Sequence, residues 1–86
     1  MRLGDTLLQA RQRAGRTLAY LAEATGYSVG YLSDIERGKR IPAMPALESL
    51  AASLGLEGER RTAIVRLARD EVCRAAVRRW ERGAMQ

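Results

Sequence analysis

Eighty-six residues leave room for one domain, close to the size at which a single hydrophobic core only just suffices. A formal charge of +5 and a pI of about 10.3 point to an anionic partner, nucleic acid first. One cysteine excludes an internal disulfide and suits a reducing cytosol, and no apolar run has the length of a membrane span or the character of a signal peptide.

The first helix is expected from Leu3 or Gly4 to Ala14, with Leu3, Leu7, Leu8 and Ala14 as its core stripe and Gly15 as its stop. Arg11, Arg13 and Arg16 cluster where it leads into the next. Thr17 is placed to cap a second helix, whose apolar residues are Leu18, Leu21 and Ala22. Gly26 ends that helix, because the left-handed conformation needed there is cheap only for glycine. Ser28 then caps a third helix with Tyr31, Leu32 and Ile35 at helical spacing, and Gly38 closes it. Two short helices joined by a glycine turn form a helix-turn-helix unit, whose second helix can enter the DNA major groove.

After Gly38 the loop KRIPAMP places Lys39 and Arg40 where they can meet a sugar-phosphate backbone. Pro45 suits the first turn of a fourth helix, expected from Ala46 to Leu54 with Leu47, Leu50, Ala51 and Leu54 on its core face and Gly55 at its end. One long helix is expected from Glu57 to Arg82. Ile64, Leu67, Ala68 and Val72 share a face that can close the core. Val72, Cys73, Ala76, Val77 and Trp80 define a second face, rotated by a quarter turn or more. Two faces imply two roles, and the second face is the candidate dimerisation surface. Arg74, Arg78 and Arg82 follow one another in i, i+4 steps, a spacing at which like charges favour solvent.

No catalytic or metal chemistry is visible. Without histidine the usual general base is absent, and Cys73 has neither a histidine nor a second cysteine to work with; it reads as a small buried hydrophobe. Asp70 and Glu71 diverge around a helix and are expected to pair with Arg74. The chain reads as a non-enzyme with no cofactor and no metal.

The pattern T-x-x-x-L-A-x-x-x-G-x-S-x-x-Y-L-S-x-I-E-R-G, from Thr17 to Gly38, resembles the phage-repressor-like (Cro/XRE) helix-turn-helix family, over about residues 3 to 56. One position departs from it. The family's Gln after the opening Thr, a phosphate contact, is Leu18 here. The resemblance implies an ion pair between Arg11 and Glu36. It also implies base-facing positions at Ser28, Val29, Gly30, Ser33 and Asp34, and backbone contacts from Arg16, Thr17, Tyr31, Arg37, Lys39 and Arg40. Val29 suits a thymine methyl, Ser28 either kind of base edge, and Asp34 a cytosine amino group unless it pairs with Arg37. For Val29 and Gly30, merely permitting close approach is an equal alternative.

The expected protein is therefore an all-α, five-helix domain. Residues 1–56 form the DNA-binding core, and residues 57–86 form a long helix that completes the core and dimerises. The expected function is that of a sequence-specific transcription regulator, a repressor on a palindromic or pseudopalindromic operator, acting as a homodimer on double-stranded DNA; the expected protein is cytoplasmic and nucleoid-associated, bacterial or phage-encoded. Two other readings stay open: an antitoxin whose last helix binds a toxin, and a protein-binding adaptor that uses the fold without DNA.

Overall fold

The structure is a computed structural model and describes residues 2–84; Met1, Met85 and Gln86, the outermost residues of the two segments, lie outside them. Five helices follow in order: α1 Leu3–Ala14, α2 Leu18–Thr25, α3 Val29–Glu36, α4 Met44–Ser53 and α5 Glu59–Ala84. No strand occurs among the described residues. α4 starts two residues earlier than expected, with Pro45 in its first turn, where a missing N–H costs nothing. α5 starts two residues later than expected, at Glu59, with Gly58 at a φ of 58° just before it.

Local chemistry explains the punctuation of the first three helices. Thr17 Oγ1 accepts the Tyr20 N–H at 3.0 Å, and Ser28 Oγ accepts the Tyr31 N–H at 3.1 Å, so each hydroxyl satisfies one orphan donor of its helix. Gly26 closes α2 at φ 81°, with its N–H bonded to the Ala22 carbonyl. α1 is capped differently. Its N-terminal residue Arg2 offers no side-chain cap, and the Leu3 N–H instead donates to Glu71 Oε2 at 3.2 Å, from α5. Glu71 therefore serves the positive end of α1 rather than Arg74, and Arg74 Nε donates to the Asp70 backbone carbonyl at 3.4 Å.

Leu3, Leu7, Leu21, Leu32, Ile35, Leu47, Leu50, Ala51, Leu54, Leu56, Ile64 and Ala68 make one buried core. α2 packs on α3 and α4, while α1 packs on α3 and α5. Leu8 is only half-buried and Ala14 is exposed, because the stripe of α1 runs through Leu3, Leu7 and Ala10 and leaves the core edge before the last turn. Val72 does not join the core. The last buried residue of α5 is Ala68, and Val72 projects into solvent with Cys73, which is exposed rather than buried. The long axis of the molecule is 46 Å, close to the ~39 Å expected for the 26 residues of α5.

Gly4 permits a close approach between two helices. A Cβ at this position would lie 2.5 Å from the Ile35 carbonyl oxygen and 2.6 Å from that of Glu36. α1 therefore meets the end of α3 backbone to backbone.

Candidate nucleic-acid interface

α3 buries Leu32 and Ile35 on one side and leaves the other open. Ser28, Val29, Gly30 and Arg37 are exposed, with Ser33 and Asp34 half-buried beside them. By the 3.6-residue period, positions 29, 30, 33, 34 and 37 fall within an arc of roughly 140°. The apolar Val29 is 46% exposed at the start of this face.

Gly30 has no heavy atom within 4 Å of where its Cβ would stand, so packing does not demand a glycine. Gly30→Ala should therefore stabilise the protein by about 0.5–1 kcal/mol, through helix propensity and a less disordered unfolded chain. A rise in the denaturation midpoint is the expected readout. If the bare backbone serves close approach to a base pair, the same variant loses DNA affinity while gaining stability.

The end of α3 is held by an ion pair. Arg11 Nε lies 2.7 Å from Glu36 Oε2, and Arg11 Nη2 donates to Oε1 at 3.1 Å, a two-point contact with side chains only 17% and 12% exposed. Arg11 Nη1 also donates to the Arg16 carbonyl at 2.9 Å, so one guanidinium ties α1, the turn before α2 and the end of α3. The hydrogen bond to Glu36 holds Arg11 protonated more firmly than usual, against the opposing effect of burial.

Asp34 pairs with Arg40 and not with Arg37, Nε to Oδ2 at 3.5 Å. The loop is responsible. The Lys39 and Arg40 N–H groups both donate to the Asp34 carbonyl, which folds the loop back over α3. Arg40 is thereby set 5.7 Å above the Tyr31 ring, and Tyr31 packs at 5.3 Å against Tyr27. Arg40 is exposed and Asp34 only half-buried, so the bridge contributes about 0–1 kcal/mol and can open to other partners.

At the start of α2, Arg16 stacks on Tyr20 with its guanidinium carbon 4.3 Å from the ring centroid. Thr17 and Lys39 are exposed on either side of the unit. Leu18 is half-buried against the core, so the residue standing in place of a polar contact serves packing. Tyr20 was not singled out in the sequence. Arg16 stands before the N-cap of α2, so helical spacing does not pair it with Tyr20 and the contact is set by the turn.

A profile of the helix-turn-helix domain matches residues 2–64. The chain belongs to the Cro/XRE-type helix-turn-helix family of DNA-binding regulators. Within this family it is 39% identical over 75 residues to the transcriptional regulator ClgR of Mycobacterium tuberculosis, covering 78% of this chain and 67% of ClgR. It is 35% identical over 57 residues to the immunity repressor protein of Bacillus phage phi105, covering 66% of this chain and 40% of that protein. Among solved structures, the clp gene regulator ClgR of Corynebacterium glutamicum superposes with a TM-score of 0.67 at 33% identity, covering 93% of this chain and 83% of that one. In this helix-turn-helix protein the matched segment holds the whole α2–α3 unit and ends where α5 enters the core at Ile64. The distal part of α5 lies beyond the match. Among the described residues no cluster of His, Cys, Asp and Glu could hold a metal ion, and no helix is long and apolar enough to cross a membrane.

Proposed function

We propose that this chain is a repressor that binds a two-half-site operator in double-stranded DNA as a homodimer, in the cytoplasm, with α3 in the major groove. The open face of α3 carries this reading, with Ser28, Val29, Gly30, Ser33 and Asp34 toward base edges. Arg16, Thr17, Tyr31, Arg37, Lys39 and Arg40 would meet phosphates around it. The capping hydroxyls of Thr17 and Ser28 accept from backbone N–H groups, which leaves their own protons for an oxygen acceptor.

A single recognition helix touches few base pairs, so the chain needs a self-complementary surface to occupy two half-sites. The exposed strip Val72, Cys73, Ala76, Val77 and Trp80 supplies one, with Trp80 71% exposed. Its near end opens into an apolar groove of about 230 Å³ between Pro42 and Met44 on one side and Val65 and Val72 on the other. Residues 57–86 thus complete the core of residues 1–56 and then reach a second copy.

Selection of bound sequences from random duplex DNA tests the reading. The expected product is an inverted repeat with half-site centres about 34–36 Å apart. Trp80→Ala should weaken the dimer about 30-fold in sedimentation, the loss of a buried aromatic anchor of about 2 kcal/mol. Enrichment of a lone half-site by a monomeric protein would reject the homodimer and leave the α5 strip to a different protein.

A further inference from the structure

The face of α5 that closes the core changes character along its length. Ile64 and Ala68 are buried, Glu71 and Ala75 are half-buried, and the next residues on the same side are Arg78, Arg79 and Arg82. Arg74, Arg78 and Arg82 do not simply face open solvent on a remote side. With Arg79 they line a recess of about 370 Å³ whose opposite wall is Arg2, Gly38, Lys39 and Ile41. That wall begins immediately past Arg37, the C-cap of α3. The Arg2 guanidinium lies 3.7 Å from where a Gly38 Cβ would stand, directly against the loop.

Charge is concentrated here. Arg2, Lys39, Arg74, Arg78, Arg79 and Arg82 meet a single carboxylate, Glu71, so the net charge of the lining equals the +5 of the entire chain and the rest of the chain balances. Glu71 already accepts the Leu3 N–H, and none of the six cations forms an ion pair among the described residues. Like charges gathered in this way repel, and a bound anion offsets that repulsion.

We propose that the distal half of α5 is a second phosphate-binding surface, on which Arg74, Arg78, Arg79 and Arg82, with Arg2 and Lys39, hold backbone phosphates of the duplex next to the segment that α3 reads. The inference rests on the DNA-binding reading above. Arg74 to Arg82 spans about 12 Å along the helix, enough to reach two or three successive phosphates of one strand. The partner is a phosphodiester chain because the recess adjoins the loop that follows the recognition helix. The same chemistry could also take a free polyphosphate.

The test compares the salt dependence of binding to a mixed-sequence 30-base-pair duplex, measured by fluorescence anisotropy. The wild type is set against a variant with Arg74→Gln, Arg78→Gln, Arg79→Gln and Arg82→Gln, and against one with Lys at the same four positions. All lie on an exposed helix, and circular dichroism and sedimentation verify fold and assembly. The Gln variant should lose about 0.9 from the log–log salt slope for each phosphate released, roughly 2 to 3 in all, while the Lys variant keeps the wild-type slope within about one. A Gln variant with the wild-type slope overturns this surface and leaves DNA binding by the first four helices intact. One-to-one binding of tripolyphosphate at constant ionic strength, lost in the Gln variant without a change in DNA slope, overturns it in favour of a free polyphosphate. A wild type whose DNA affinity ignores salt defeats the DNA-binding reading itself, and this inference with it.

Discussion

Gly4→Ala is expected to destabilise the protein by about 2–3 kcal/mol, which lowers the thermal midpoint by on the order of 10–20 °C for a chain of this size. The new methyl would stand 2.5 Å and 2.6 Å from the carbonyl oxygens of Ile35 and Glu36. Neither can rotate away, since both belong to the last turn of α3 and its backbone. α1 must therefore lift from α3, loosening Leu3 and Leu7 from Leu32 and Ile35 and stretching the Leu3 bond to Glu71. The sign makes the prediction sharp. At an unhindered helical position the same substitution stabilises by about 0.5–1 kcal/mol, as expected for Gly30. Thermal and urea denaturation of the two variants side by side should move in opposite directions. An unchanged midpoint for Gly4→Ala would mean that α1 and α3 are farther apart than described.

Glu36→Ala should cost a similar amount, about 2–4 kcal/mol, because it strands the Arg11 guanidinium in a site that is mostly covered. Arg11→Ala should cost nearly as much, by leaving the Glu36 carboxylate without its two donors. Arg11→Met combined with Glu36→Leu should recover most of either loss, since apolar residues of similar volume need no partner. Urea unfolding of the two single variants and the pair measures this directly. A pair whose loss equals the sum of the singles would show that the two residues act independently. The sign with pH follows from Arg11. Its folded pKa is raised, so its contribution is complete below the ordinary arginine range and disappears only as pH rises through the higher folded value. Across the neutral range it should stay constant.

Local chemistry made much of the architecture legible in the sequence. Thr17 and Ser28 cap helices because a hydroxyl at the first position reaches a backbone N–H three residues on, and that relation needs no knowledge of the rest of the chain. Gly15, Gly26, Gly38 and Gly55 end helices by taking positive φ, again a matter of a few consecutive residues. The 3.6-residue period likewise marks Leu47, Leu50 and Leu54 as one face and Cys73, Ala76 and Trp80 as another. Periodicity tells which residues share a face, but not what that face meets. The carboxylate of Glu71 reaches an N–H 68 residues away, Gly4 is required by carbonyls on another helix, and Asp34 takes Arg40 because a loop doubles back. Arg78 and Arg82 look like ordinary solvated charges until α5 brings them opposite Arg2 and Lys39. Only tertiary structure decides such pairings, because their energy depends on distances through space that no short stretch of sequence encodes.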